Sequence, residues 1–146
     1  MRKSRRMEPV LRVAASREDK AAQEFGASRR QLDEHERQLA QLQGYRREYQ
    51  ARFETSGAAG ITAARLLDTR RFLAQLDQAI AQQQQAVSNA ARLCEQKRQL
   101  WLRSRQKSQT FIKAKERFEA QESLADDKRD QKASDELAQR KRPSDK

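Results

Sequence analysis

The sequence predicts an all-α fold: a long antiparallel two-helix coiled-coil hairpin with a frayed, charged C-terminal tail. Three observations carry this. Apolar residues recur every seven positions along two stretches of chain, two of the four glycines meet in one short segment between those stretches, and the composition favours little else. Of 146 residues, 36% are hydrophobic, 36% are charged and 5% are aromatic, with a mean hydropathy of −1.15. A large compact core is disfavoured at that composition. Four Gly and two Pro also leave little punctuation for the turns of a sandwich, a barrel or a doubly wound sheet.

The first stripe runs through Leu11, Phe25, Leu32, Leu39 and Phe53, with Ala14, Ala21, Leu42 and Tyr49 three places after members of that series. Pro9 suits a first helical turn, where its missing N–H is not needed, so the helix is expected from about Glu8 to Glu54. Thr55-Ser56-Gly57-Ala58-Ala59-Gly60 follows, and its glycines let the backbone reverse over about 55–61. Thr62 can cap a second helix, expected over about 62–125. Its stripe continues without a gap through Leu66, Leu73, Ile80, Val87, Cys94 and Trp101, and Phe111, Ile112 and Phe118 extend it.

Neither helix can bury its stripe alone, and a short turn brings the two back antiparallel. Pairing positions whose numbers sum to 119 sets Phe53 by Leu66, Leu39 by Ile80, Leu32 by Val87 and Phe25 by Cys94. Arg46 opposite Leu73 and Glu18 opposite Trp101 are weaker layers, whose charged groups reach for water or fix the register. At about 1.5 Å rise per residue, such arms give a rod on the order of 80 Å long. The run Gln82 to Gln85, four good helix formers between Ile80 and Val87, reads as solvated helix surface. After about Ala125 the stripe thins, so residues 1–125 form the hairpin and 126–146, ending in Arg142-Pro143-Ser144-Asp145-Lys146, a charged and partly disordered tail.

The formal net charge of +11 is concentrated. Residues 1–20 hold seven basic and three acidic side chains and 97–117 hold eight and one, while the remainder of the chain is neutral. In the hairpin this gathers Arg2, Lys3, Arg5 and Arg6 of one arm with Arg103, Arg105, Lys107, Lys113 and Lys115 of the other at the open end. A solvated coiled-coil face and an acidic protein socket both fit this charge. Only Trp101 and Phe111 accompany it, so nothing marks a nucleic-acid module.

A second stripe lies nearer the turn. Gln38, Leu42, Tyr45 and Tyr49 on one arm, and Phe72, Leu76, Ala79 and Gln83 on the other, both advance by four, three and four. They pair at a constant sum of 121 as Gln38 with Gln83, Leu42 with Ala79, Tyr45 with Leu76 and Tyr49 with Phe72. A two-helix rod buries only a narrow seam, so the stripe is either a partly exposed partner-binding patch or a widening of that seam.

Catalytic chemistry is not visible. The sequence has no Gly-rich phosphate loop, His-Glu zinc pair, Ser-His-Asp set or calcium loop. One cysteine and one histidine exclude a disulfide within the chain and a Cys/His zinc cluster, and a reducing compartment is the default. His35 reads as a seam or surface residue and Cys94 as a small apolar layer. A non-enzyme without cofactor or metal is expected. No apolar segment suits a signal peptide or membrane span, which places the chain in the cytosol.

Leu42-Gln43-Gly44-Tyr45-Arg46-Arg47-Glu48-Tyr49, Phe72-Leu73-Ala74-Gln75-Leu76, Trp101, and Asp130-Gln131-Lys132 with Asp135-Glu136 give the chain a resemblance to the FliJ family of the bacterial flagellar type III export apparatus. The resemblance covers nearly the whole length. It implies a coiled coil like the central stalk of rotary ATPases, with its terminal ends inserted in the hexameric export ATPase FliI. It also implies binding to the cytoplasmic domain of the export gate protein FlhA through a mid-hairpin patch. By position and type, that patch looks like Gln38, Leu42, Tyr45, Tyr49, Phe72, Leu76, Ala79 and Gln83. Export chaperones are further implied partners, and the implied location is cytoplasmic, at the inner membrane beneath the flagellum. The alternatives are a stalk of a virulence secretion system and a basic nucleic-acid-associated or scaffolding coiled coil.

Overall fold

A computed structural model describes residues 1–57 and 60–141. Two α-helices account for nearly all of them, α1 (Lys3–Gly57) and α2 (Ala63–Lys141), and there is no strand among the described residues. Ala58 and Ala59 of the expected turn, and Arg142 to Lys146 of the expected tail, lie outside them.

The helix ends differ from the sequence expectation in three places. α1 begins at Lys3, not near Glu8, so Pro9 stands inside it. A proline can occupy a helix interior when neighbouring contacts hold the turn around it, and the first residues of α1 are tied to α2 as described below. At the other end α1 continues to Gly57, whose carbonyl accepts the Gly60 N–H (3.3 Å). Gly60 has φ +89°, a left-handed conformation that favours a residue without Cβ. Finally, α2 passes Ala125 and runs to Lys141. Every residue from Asp127 onward in it is exposed, so this stretch is helix without a facing seam. The expected cap is present: Thr62 Oγ1 accepts the Arg65 N–H (3.2 Å).

The hairpin divides into two units. The turn unit spans Ala21–Trp101, and the end unit combines Met1–Lys20 with the chain from Leu102 onward. Within each, residues rising in number along α1 meet residues falling along α2, which is antiparallel pairing.

Burial follows the heptads. Leu32, Leu39, Phe53, Leu66, Leu73, Ile80, Val87 and Cys94 are all half-buried, as are Leu11, Phe111 and Phe118 in the end unit. Among the described residues no large side chain is fully enclosed, as a two-helix seam dictates, and the buried ones are small: Ala14, Ser28, Thr69 and Ser108. Ser28 and Thr69 satisfy their hydroxyls on the Phe25 and Arg65 carbonyls of their own helices (2.7 and 2.9 Å). Small seam residues let two backbones approach closely.

Contacts across the turn unit occur at sums around and above 119. Phe25, expected beside Cys94, puts its ring against Trp101, with centroids 5.6 Å apart and planes tilted by 50°. A side chain entering an antiparallel seam lies among residues of the facing helix several positions apart, and the large indole takes the contact. Arg46, expected as a weak layer whose charge leaves the seam, behaves that way. It is half-buried, and its guanidinium reaches Asp77 and Gln50 (2.8 Å), which keeps the charge at the edge of the seam.

Candidate functional site

In the turn unit, the second stripe resolves into two sets. Leu42, Tyr49, Leu76, Ala79 and Gln83 are half-buried and contribute to the seam, whereas Gln38, Tyr45 and Phe72 are exposed. The pairing of Tyr49 with Phe72 is as expected: ring centroids lie 4.4 Å apart with planes tilted by 49°. Gln38 and Gln83 do not pair. Gln38 bonds Glu34 of its own helix (3.4 Å), while Gln83 Nε2 donates to the His35 carbonyl (2.9 Å) and lies 3.2 Å from the ring Nδ1. That gives His35 a structural role as a polar seam layer.

What remains outward is an aromatic ledge. Phe72 is 41% exposed although one face is covered by Tyr49, and Tyr45 is 52% exposed with its hydroxyl accepting from Gln41 (3.1 Å). Leu67 on α2 is a further exposed apolar residue of this unit. A ring held on one side and open on the other, as Phe72 is, presents apolar area with little rotamer freedom left to lose, which is the character of a binding anchor.

The end unit carries all nine residues of the expected basic end, and they differ in environment. Arg2 donates to both oxygens of Asp126 (3.0 and 2.8 Å). Lys3 stands 5.7 Å from the Phe118 ring centroid, and Lys115 pairs with Glu119 (3.5 Å). Arg5, Arg6, Arg103, Arg105, Lys107 and Lys113 are exposed. The basic end is therefore partly compensated by acids of the later part of α2.

Those acids also close the start of α1. Ser4 donates its backbone N–H to Glu122 Oε1 (3.1 Å) and its hydroxyl to Oε2 (2.6 Å). The first turn of α1 has no acidic residue of its own, so a carboxylate from the facing helix satisfies an otherwise unpaired N-terminal donor and sits favourably at the positive end of the helix dipole. Hydrogen bonds from Ser4 hold the Glu122 carboxyl below the ordinary carboxylate range. The Arg2 hydrogen bond does the same for Asp126 and raises the guanidinium in turn.

Among the described residues, no cluster of three or more His, Cys, Asp or Glu could hold a metal, and no helix is long and apolar enough to cross a membrane.

A model of the family described as flagellar FliJ protein matches residues 3–142. The chain belongs to that family. The flagellar FliJ protein of Escherichia coli K12 is 31% identical over 132 residues, covering 90% of each chain. That of Salmonella typhi is 29% identical over 134 residues, covering 92% of this chain and 91% of its own. No solved structure matches the sequence. Family membership makes the chain a component of the flagellar export apparatus.

Sequence reasoning missed the contacts of Ser4, Glu122 and Asp126. The four-residue spacing of Phe118, Glu122 and Asp126 on one helix face was a visible signal. It had no target, because α1 was expected to begin five residues later.

Proposed function

We propose that this FliJ-family chain is a non-catalytic stalk and coupling factor: its basic end seats in the ring of the export ATPase FliI, and the ledge near the turn engages the cytoplasmic domain of the export gate protein FlhA. It works as a stiff connector at the cytoplasmic side of the inner membrane beneath the flagellum, escorting export chaperones as well. The observation that carries this reading is the aromatic ledge. Tyr45 and Phe72 expose ring surface that a structural seam does not need, and Tyr49 supports Phe72 from behind. Stiffness is supported by the unbroken half-buried series from Leu66 to Cys94, since arms that stay together transmit displacement. The exposed cations Arg5, Arg6, Arg103 and Lys113 favour an acidic socket for the end unit.

The deciding experiment titrates the purified chain against the cytoplasmic domain of the export gate, beside Tyr45→Ala at matched helicity. Loss of binding in the variant supports the coupling site. Equal binding by both moves the contact elsewhere on the chain, and no binding by either defeats the coupling half of the proposal.

A further inference from the structure

A second apolar feature lies in the end unit. Val10, Val13, Ala14 and Arg17 of α1 face Lys107 and Phe111 of α2 across an open groove of about 380 Å³. Its origin is local. Where other layers carry Leu, Phe or Trp, this one carries Ala14, which is 7% exposed, and Ser104, and Ser108 one position from Lys107 is likewise small and buried. Small side chains leave a hollow between the larger residues around them. Val10 and Val13 stand at its rim, 37% and 51% exposed. Among the described residues, the charged ones lining it are both cationic, Arg17 and Lys107.

We infer that this groove receives a short amphipathic helix of a partner protein, with large apolar side chains on one face and Asp or Glu beside them. The shape favours a helix: residues 9–17 span about 12 Å, or two turns, and a third helix laid along two others can insert its knobs into a hole floored by alanine. Charge selects the sign. Residues 97–117 hold eight basic side chains against one acidic, so a helix flanked by carboxylates is drawn in and one flanked by lysines is repelled. A nucleic acid would use Arg17 and Lys107 but gain nothing from Val10, Val13 and Phe111. The groove shares Lys107 with the basic end, and because its test needs no ATPase the outcome is separate from that of the stalk reading.

The test uses the full chain and three fluorescein-labelled peptides: one with Leu at heptad a and d positions and Glu at e and g, the same peptide with every Leu replaced by Ser, and the same with every Glu replaced by Lys. Only the first should bind saturably. Val13→Asp and Lys107→Glu should each weaken it about tenfold, whereas Ala15→Asp, exposed on α1 and outside the groove, should not. Circular dichroism confirms that all variants keep parental helicity. Equal binding of the Ser peptide, equal weakening by Ala15→Asp, or no binding overturns the inference. So does an RNA oligonucleotide or anionic vesicle whose binding, in place of the peptide's, falls with Val13→Asp.

Discussion

Tyr49 holds one face of Phe72, ring centroid to ring centroid at 4.4 Å, while Phe72 remains 41% open to solvent. One side chain thus serves the seam and the surface together, and its neighbour Tyr45 serves the surface more purely. The two should separate on mutation. Phe72→Ala loses an aromatic contact and part of a buried ring, so it should destabilise the hairpin by about 1–2 kcal/mol. Tyr45→Ala should stay within about 0.5 kcal/mol of the parent. Thermal melts followed at the helical band decide it, and equal losses for both would place Tyr45 in the seam.

Phe25 and Trp101 form the second aromatic contact, and Trp101 is the chain's one tryptophan. Phe25→Ala should therefore move its fluorescence to longer wavelength and lower stability by about 2 kcal/mol, less than a fully buried phenylalanine would, because both rings are half-buried. Leu32→Asp, which forces a carboxylate into the seam, should lower the melting temperature while leaving the Trp101 spectrum of the folded state unchanged. A Trp101 spectrum indifferent to Phe25→Ala would count against the contact and favour the simple Phe25–Cys94 layer.

Much of this was legible in the letters, for a physical reason. A coiled coil writes its seam as a seven-residue period, so Leu32, Leu39, Leu66, Leu73, Ile80 and Val87 could be read directly, and they are the residues half-buried in the hairpin. Register was less legible, because hydrophobic period constrains it only to within neighbouring layers; Phe25 met Trp101 and Gln83 met His35. The second stripe was legible as a pattern but not as a surface. Whether Leu76 faces in and Phe72 out depends on the local rotation of α2, which a count of four, three and four does not fix. The helix ends were least legible. The start of α1 at Lys3 involves Glu122 and Asp126, more than a hundred residues away, and no local propensity encodes that.

The contacts at Ser4 and Arg2 should loosen in acid. Both carboxyls titrate below their ordinary range in the folded chain, so the stability they contribute is present above the unfolded-state values and is lost as pH falls through the lower folded ones. The first turn of α1 should fray below about pH 4, while the seam persists. Carbon chemical shifts of Ser4 to Met7, followed by NMR during acidification, give the readout. Glu122→Gln with Asp126→Asn should show the frayed shifts already at neutral pH; shifts that match the parent would mean that α1 starts at Lys3 without help from α2.

The exposed end of α2 makes the sharpest contrast with the seam. From Asp127 to Lys141 the helix has no facing residues in burial terms, and Leu137 is 56% exposed. What supports it locally is pairing along its own surface, as with Gln131 and Asp135 (3.0 Å) and Arg129 with Asp126, together with its continuity with a helix already formed. Leu137→Asp should then change the hairpin's stability by less than about 0.5 kcal/mol. Deleting the chain from Asp127 onward should reduce the helical signal roughly in proportion to the residues removed and leave the melting midpoint nearly fixed. A large drop in midpoint would show that this stretch covers part of the seam. Addition of an equimolar export ATPase to the full chain, with amide exchange slowing specifically over 127–141, would instead show that its facing surface comes from the partner.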